Sequence, residues 1–309
     1  MEQRNVFVQH SANLSRRDLL RNAAVGAAAL MIPGRLRACG TKDPDRERLT
    51  RWVGTLRSEG LARADIPLGR AAIRVGELAV GIPYQPYTLE GYLRHGGSPL
   101  QEPLTISLTS FDCVTLVETC LAVARLARDT GSPSWSGLGK EIQRMRYRGG
   151  KRRGYSSRLH YFSEWITDGE KRGLLKNVGA ELGGGEDARH LDFMSEHRER
   201  YQALARDDVF RAIRETERRI SEVPRRVVPL KCIPAVAQRI ETGDVLAFAT
   251  NLIGLDVTHT AFAYRDKTGS LRVLHAPLSG GVVEVTHSTL PEYVAAIKRS
   301  TGILVARPR

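Results

Sequence analysis

Residues 109–118 read Thr-Ser-Phe-Asp-Cys-Val-Thr-Leu-Val-Glu, and here an extended polar run gives way to a long apolar-periodic stretch. The change predicts a helix that begins at Cys113, with Ser110 as a candidate N-cap residue. A cysteine at a helix start faces free backbone N–H groups and the positive end of the helix dipole. Such surroundings lower the pKa of a thiol, so we expect a reactive thiolate at Cys113.

The competing interpretation is that Cys113 is a core residue, because a lone cysteine in an apolar helix usually behaves as a small buried hydrophobe. Cys120 fits that description, since it lies within the apolar run 116–123. Two helical turns, about 10 Å, separate Cys113 from Cys120, so a straight helix excludes a disulfide between them. Cys113 differs from Cys120 in having the polar neighbour Asp112. Cys232 lies in a proline-punctuated connection and is interpreted as structural.

Two histidines lie in later runs that are typical of short strands. His259 follows the strand-like run 243–248 and the turn-like segment 250–254, which together suggest a hairpin, and His275 ends the next strand. If neighbouring strands pair antiparallel, the two rings lie side by side on one face. One imidazole then takes the thiol proton while the other holds its orientation, although each histidine could equally be a satisfied core residue. A nucleophile at a helix start with imidazoles on later strands is the layout of papain-like cysteine hydrolases.

Five motifs in a fixed order extend this similarity. They are Phe111-Asp112-Cys113-Val114-Thr115-Leu116-Val117-Glu118, Arg158-Leu159-His160-Tyr161-Phe162-Ser163, Gly243-Asp244-Val245, Gly254-Leu255-Asp256-Val257-Thr258-His259 and Leu274-His275-Ala276. With them the chain resembles the N-acetylmuramoyl-L-alanine amidase-like family, in the NlpC-type branch of papain-like cysteine peptidases, over roughly residues 65–308.

The resemblance implies an α+β fold and a Cys-His-His site. Cys113 matches the nucleophile, His259 the general base and His275 the orienting polar residue. The family cleaves amide bonds in cell-wall peptides without metal or organic cofactor, typically the bond between N-acetylmuramic acid and L-alanine, so the expected partners are muropeptides and not nucleic acid. Two departures concern substrate preference more than reaction type: Tyr87 stands where the family tends to have glycine, and His259 is followed by Thr-Ala instead of Val-Gly.

Four further residues are candidates for substrate binding. Arg158 matches the family's Arg-Leu-His-Tyr motif and could clamp a substrate carboxylate at two points, or could instead stabilise a helix start. Tyr161 belongs to the same motif. Tyr84 matches an upstream aromatic residue that could line the cleft or donate to an oxyanion, although the backbone N–H of Cys113 is the safer donor. Asp256 could bind a substrate amine or hold a loop.

The first forty residues differ in character from the rest. Arg16 and Arg17 precede an apolar run from 23 to 32, the order that is typical of a twin-arginine export signal, with an amphipathic helix as the alternative. Ten residues are too few to span a bilayer. Cys39 lies in a lipobox-like segment and is a candidate for lipidation. We therefore predict a leader over residues 1–40, one catalytic domain with helical insertions over 41–309, and a periplasmic or cell-surface protein, with any membrane contact through an N-terminal lipid.

The charge and the remaining histidines bear on other classes of function. The net charge is +13, and about +9 remains after the six arginines and two acidic residues of 1–39 are removed, which suits an anionic polymer such as cell wall. A nucleic-acid binder conflicts with the export signal. His190 and His197 have no third ligand at a spacing typical of zinc sites, so we predict no metal. The remaining alternatives are a stem-peptide endopeptidase with the same triad and a non-catalytic wall-binding protein.

The apolar spacing also predicts the order of elements. We expect helices over 45–80 with a break near Pro67, an extended segment over 84–108, and then the helix that begins at Cys113. Further predictions are helices over 137–147, 157–171 and 207–220, a polar excursion over 173–205 that serves as a lid or rim, and a strand-rich final third with a helix near 289–298. This order indicates an α+β protein with an antiparallel sheet.

Overall fold

The computed structural model describes residues 43–277 and 281–309. Its α-helices are α1 Pro44–Ser58, α2 Leu68–Ala79, α3 Gly91–Arg94, α4 Cys113–Arg128, α5 Trp135–Arg146, α6 Phe162–Lys171, α7 Phe193–Glu196, α8 Asp207–Ser221, α9 Ile233–Val236 and α10 Leu290–Ala296. Its strands are β1 Leu175–Asn177, β2 Gly185–Asp187, β3 Arg225–Pro229, β4 Val245–Thr250, β5 Val257–Arg265, β6 Leu271–His275, β7 Glu284–Val285 and β8 Ser300–Pro308. The predicted export signal and Cys39 lie outside the described residues.

The strands form one antiparallel sheet in the order β2-β3-β8-β4-β5-β6-β7, and β1 also pairs with β8. Strand β4 lies inside the sheet and every one of its side chains is buried. Its residues alternate between two cores: Val245, Ala247 and Ala249 join the larger one, and Leu246 and Phe248 join the smaller one on the other face. The α+β prediction with an antiparallel sheet is therefore confirmed.

Helix α4 lies at the centre of the larger core. Its residues from Thr115 to Ala124 are all buried, because α1, α2 and α5 pack around it and β5 lies against it. A helix that is apolar on all sides needs this complete covering. The consequence is that Cys113 begins the most enclosed helix of the described chain and is fixed in place by the core.

The smaller core lies on the opposite face of the sheet. There α10 contributes Leu290 and Val294, and the short helix α9 contributes Ile233. A third cluster forms around α8 through Val209 and Ile213. None of the described helices combines the length and apolar character that crossing a membrane requires.

Two predicted segments differ in the structure. Residues 84–108 do not form an extended strand, because they contain α3 and a 3-10 turn at Pro99–Gln101. The predicted excursion over 173–205 includes β1 and β2, which lengthen the sheet at the edge formed by β3 and β8. The helices predicted over 45–80, 137–147 and 207–220 are confirmed within a few residues as α1 with α2, α5 and α8.

Candidate active site

The start of α4 is fixed by a reciprocal cap. Asp112, not the predicted Ser110, is the N-cap residue: its carboxylate accepts the N–H of Thr115 at 2.7 Å. The Thr115 hydroxyl accepts the Asp112 N–H in return at 2.9 Å. Ser110 donates to the Gln85 side chain instead. These two hydrogen bonds fix the first turn of the helix, so Cys113 occupies a defined first position in it.

Cys113 is half-buried and forms no disulfide with another described cysteine. Burial raises the pKa of this thiol to about 12, and the neighbouring Asp112 carboxylate acts in the same direction. The backbone N–H of Val114 and the donors of Thr260 act in the opposite direction and are outweighed. The expectation of a lowered thiol pKa at the helix start is therefore wrong for this site.

The sulfur of Cys113 lies beside the part of β5 that pairs with β4 but no longer with β6. The two backbone groups of Ala263 bond to Gly243 and Asp244, which lead into β4, and alternate residues of an antiparallel strand point to opposite neighbours. The N–H of Thr260 therefore points toward β6, but β6 pairs with β5 only as far as Phe262. In place of a strand, the Thr260 N–H and hydroxyl face the Cys113 sulfur closely enough to affect the pKa of the thiol. The hydroxyl makes no hydrogen bond of ordinary geometry among the described residues.

The predicted pairing of the two histidines is confirmed. Nε2 of His259 lies 2.8 Å from Nδ1 of His275, and the phenolic oxygen of Tyr293 lies 3.2 Å from the same Nδ1. Phe248, directly opposite His259 on β4, stacks on the His259 ring with centroids 5.7 Å apart. These contacts hold the His259 ring in one orientation, with Nδ1 as the nitrogen that His275 does not use.

Both imidazoles are neutral at ordinary pH. Burial and the adjacent His275 lower the pKa of His259 to about 3, and burial lowers that of His275 to about 4. The resting site thus holds a protonated thiol and a neutral imidazole. An unprotonated imidazole is the form that a general base must have.

Two tyrosines complete the surroundings of the thiol. Tyr84 is half-buried and Tyr293 lies beside His275. Burial is the main cause that raises the pKa of both phenols, and both lie close enough to Cys113 for a negative charge on its sulfur, when one forms, to raise them further. Tyr84 is therefore close to the nucleophile, as predicted for a cleft-lining residue. Tyr293 and Thr260 were not predicted. No sequence pattern indicates that either residue belongs to the site. Tyr293 lies in an ordinary capped helix, and Thr260 has free donors only because β6 ends before reaching it.

Arg158 is buried and already paired within the protein. Its guanidinium donates to Glu90 at 2.8 Å, lies 3.3 Å from Glu102 and stacks over the Tyr155 ring. Arg158 thus makes one contact with each of two of the protein's own acids, and not the predicted two-point contact with a substrate carboxylate. Glu90 keeps about a third of its side chain exposed, at 32 %, so this is the member of the cluster that can meet a ligand.

Tyr161 and Asp256 are buried beside helix starts. The Tyr161 hydroxyl donates to Glu217 at 2.7 Å. Asp256 accepts the N–H of Ser163 in the first turn of α6, a helix whose own N-cap residue gives no side-chain bond. This geometry argues against the predicted substrate contacts of both residues and for supporting roles; for Asp256 it favours the alternative of holding the chain.

The candidate zinc ligands do not converge. His190 has most of its side chain exposed, at 63 %, and a ring nitrogen of His197 bonds to the Phe193 carbonyl. Across residues 43–277 and 281–309, no three acidic, histidine or cysteine side chains are grouped as a metal site requires. Cys113, Cys120 and Cys232 are free thiols, and Cys120 is buried in the larger core as predicted.

The family model and one group of solved structures indicate the same family. Residues 74–303 match a family model described as AmiA-like, N-acetylmuramoyl-L-alanine amidase-like. The fold is similar to the crystal structure of an N-acetylmuramoyl-L-alanine amidase from Bacteroides uniformis ATCC 8492, with a TM-score of 0.71 and 30 % identity over 78 % of this chain and 99 % of that one.

Two further solved structures resemble the chain. A Bacteroides fragilis protein, named as a suggested xylanase, has a TM-score of 0.68 and 33 % identity over 75 % of this chain and 99 % of its own. A Legionella pneumophila protein has a TM-score of 0.60 at 18 % identity, over 85 % of this chain and 93 % of that one, and shows the fold alone. No curated protein sequence matches the chain.

Proposed function

The chain belongs to the N-acetylmuramoyl-L-alanine amidase-like family, and we propose that it is a cysteine-dependent amidase that cleaves the bond between N-acetylmuramic acid and L-alanine in peptidoglycan fragments. One observation supports the cysteine mechanism above all. The thiol and the histidine pair are linked through two adjacent residues of β5. The donors of Thr260 face the Cys113 sulfur, and the neighbouring His259 bonds to His275. We further assign the fold to the NlpC-type branch of papain-like peptidases on the same arrangement.

The first half of the reaction forms a thioester. His259 takes the proton of Cys113 as the sulfur attacks the amide carbonyl, so that a thiolate never accumulates in the resting site. The backbone N–H of Cys113 points out of the start of α4 and donates to the oxyanion of the tetrahedral intermediate. The C–N bond then breaks, and the leaving amine of the peptide receives the proton from His259.

The second half regenerates the enzyme. Water attacks the thioester carbonyl, His259 accepts its proton, and the C–S bond breaks to release the muramoyl carboxylate and the thiol. His275 holds the His259 ring through both halves. The sequence of steps uses no metal or organic cofactor. Tyr84 lines the cleft beside the nucleophile, and Arg158 acts on substrate through the Glu90 carboxylate that it holds.

We propose that the enzyme acts outside the cytoplasm. This proposal rests on Arg16, Arg17 and the apolar run that follows them, and it leaves lipidation at Cys39 as a further step. Replacing both arginines by lysine is expected to retain the full-length precursor in the cytoplasm, as detected by fractionation.

The deciding experiment incubates the protein with N-acetylmuramoyl-L-alanyl-D-isoglutamine and with longer stems, and identifies the products by mass spectrometry. We expect release of peptides that begin with L-alanine. Cys113→Ala is expected to lower kcat by about 1,000-fold or more, because it removes the bond-forming atom. The matched control is Cys232→Ala, which removes a half-buried thiol outside the site and should retain activity.

Other products would redirect the assignment. Cleavage within the stem would make the protein an endopeptidase with the same triad. Release of sugars from xylan would favour the activity for which the Bacteroides fragilis relative is named, which requires a pair of carboxyl groups and not a thiol. Binding of wall fragments with no product at all would favour a non-catalytic role.

A further inference from the structure

The two nitrogens of the His275 ring have different surroundings. Nδ1 faces His259 at 2.8 Å and the Tyr293 hydroxyl at 3.2 Å. Nε2 is buried and makes no hydrogen bond among the described residues, and the whole residue is only 1 % exposed. Oε1 of Glu284 lies 3.6 Å from this nitrogen. A buried ring nitrogen without a partner, directed at a carboxylate, requires an explanation.

Strand pairing places Glu284 beside this nitrogen. Glu284 lies directly opposite His275 in the register of β6 and β7, and residues directly opposite in an antiparallel pair share one face. The Glu284 side chain is 44 % exposed. Its carboxylate therefore approaches the ring from the solvent edge while Val283 and Val273 on either strand lie in the core. The register of β6 and β7 therefore determines that Glu284 lies beside His275.

The position of one hydrogen decides whether His259 can act as a base. When the His275 hydrogen is on Nε2, its Nδ1 accepts the Nε2–H of His259, and Nδ1 of His259 keeps a free lone pair. When the His275 hydrogen is on Nδ1, it donates to Nε2 of His259, whose own hydrogen must then be on Nδ1. In that second arrangement His259 presents a donor to the thiol and cannot take its proton.

Among the described neighbours of the two His275 ring nitrogens, only Glu284 distinguishes the two arrangements. The Tyr293 hydroxyl can donate to Nδ1 or accept from it, so it suits both. An ionised carboxylate accepts only, so Glu284 favours the hydrogen on Nε2. The separation of 3.6 Å exceeds that of a formed hydrogen bond, and a small movement of the exposed Glu284 side chain would close it.

We propose that Glu284 is a positioning residue whose carboxylate accepts the Nε2–H of His275 and thereby fixes the tautomers that leave His259 free to deprotonate Cys113. The proposal rests on the proposed amidase function. The contacts in the structure run from Glu284 through His275 to His259, and in the proposed reaction no step moves a proton beyond His259.

The test combines tautomer measurement with kinetics on the full chain. Glu284→Leu removes the acceptor, and Glu284→Gln keeps one in its amide oxygen. Histidine-selective nitrogen NMR reads which nitrogen of His275 carries the hydrogen, with the His275→Asn protein used to assign its signals. Glu181→Leu is the matched control, because that carboxylate is similarly exposed, at 51 %, and follows β1 at the other edge of the sheet.

We expect the hydrogen on Nε2 of His275 in the unchanged, Glu284→Gln and Glu181→Leu proteins, and its transfer toward Nδ1 in Glu284→Leu. The kcat of Glu284→Leu should fall by about 10-fold or more with KM unchanged, and Glu284→Gln should recover most of it, as for other residues that orient a functional histidine. Equal losses in both Glu284 variants, a changed KM, or the same His275 tautomer in Glu284→Leu would each overturn the proposal. If the unchanged protein cleaves no muramoyl amide, the proposed function fails, whereas the NMR comparison still decides the role of Glu284.

Discussion

At Cys113 two physical effects oppose each other, and their magnitudes decide the outcome. The dipole at a helix start is worth about 0.3–1 kcal/mol, which is less than about one unit of pKa. Burial can move a pKa by about 3–5 units. Burial and the Asp112 carboxylate therefore prevail and raise the pKa of the thiol to about 12. The position of a cysteine in a sequence reveals the dipole but not the depth of burial, which is why the thiolate prediction was wrong.

A neutral thiol and a neutral imidazole predict slow alkylation. At neutral pH the thiolate fraction of Cys113 is far below that of a free cysteine, whose pKa is about 8.5. Iodoacetamide should therefore label Cys113 slowly at pH 7, at a rate that rises steadily up to pH 10. The rate is followed by mass spectrometry of the Cys113 peptide, with half-buried Cys232 as a second thiol in the same chain. A plateau of rapid labelling between pH 5 and 8 would instead reveal a thiolate–imidazolium pair.

Asp112 has two roles that mutation can separate. Its charge raises the pKa of the Cys113 thiol, and its side chain caps the start of α4. Asparagine keeps a capping oxygen for the Thr115 N–H but carries no charge. Asp112→Asn should thus lower the pKa of Cys113 and speed its alkylation at pH 9, with the free energy of unfolding nearly unchanged. Asp112→Ala should cost about 1 kcal/mol of stability by removing the cap. Urea unfolding and alkylation rates measure the two effects; unchanged labelling of Asp112→Asn would contradict the electrostatic role.

Near its start, α2 lies very close to the turn that leads into β4. A methyl group on Gly69 would lie 3.0 Å from the carbonyl oxygen of Gly243, and Gly243 itself has φ +89°. This contact explains the glycine of the Gly243-Asp244-Val245 motif, whose Asp244 is buried against Arg307. The central strand can enter the sheet only because no side chain separates it from α2.

Two helical glycines test that contact. Gly69→Ala should destabilise the protein by about 1–3 kcal/mol, because backbone must move to admit the methyl group. Gly54→Ala is the matched change in α1, where the added methyl meets nothing within 4 Å. It should stabilise by about 0.5–1 kcal/mol through helix propensity. Urea midpoints compare the two; equal effects at both positions would show that the approach of α2 and β4 is not tight.

Helices and strands with a strong periodic pattern of apolar residues were predictable from sequence. Short strands that form only because another strand offers them an edge were not. Helix α4 and strands β5 and β6 carry long apolar patterns, and the pairing of His259 with His275 followed from them. Strands β1 and β2 have only three residues each, too few for alternation to show, and they form because β3 and β8 offer an edge. In 84–108 the alternating Leu104 and Ile106 pack on the core without a strand partner.

At the scale of the whole molecule, the site depends on contacts between distant parts of the chain. The residues around the thiol come from α4, β5, β6 and α10, which span nearly two hundred positions. Sequence motifs pointed to Cys113, His259 and His275 as candidates, but not to Thr260, Tyr293 or Glu284. Thr260 faces Cys113 because β6 ends early, Tyr293 reaches His275 through the packing of α10, and Glu284 lies opposite His275 through the register of β7. These three features exist only in the folded protein.

Desolvation in the fold keeps three histidines neutral, which makes global stability sensitive to acid. Burial lowers the pKa of His259 to about 3, of His275 to about 4, and of His160 well below its usual range. The unfolded chain binds these protons below a pH of about 6.5 while the folded protein does not, so stability is lost as pH falls from there toward 4. Each histidine contributes up to about 1.4 kcal/mol per pH unit. Buried Asp256 and Glu118, whose pKa values are raised, offset part of the loss because they hold their protons longer when folded.

Replacing one of these histidines isolates its share of the acid sensitivity. Between pH 5.5 and 4.5, His275→Gln should lose about 1 kcal/mol less of its unfolding free energy than the unchanged protein, since one fewer proton is bound on unfolding. The comparison of slopes remains valid even if the substitution lowers stability at every pH. Urea unfolding at several pH values supplies the measurement. Parallel slopes for the two proteins would mean that His275 is already protonated in the fold, and an imidazolium there could not accept the Nε2–H of His259 as the proposed site requires.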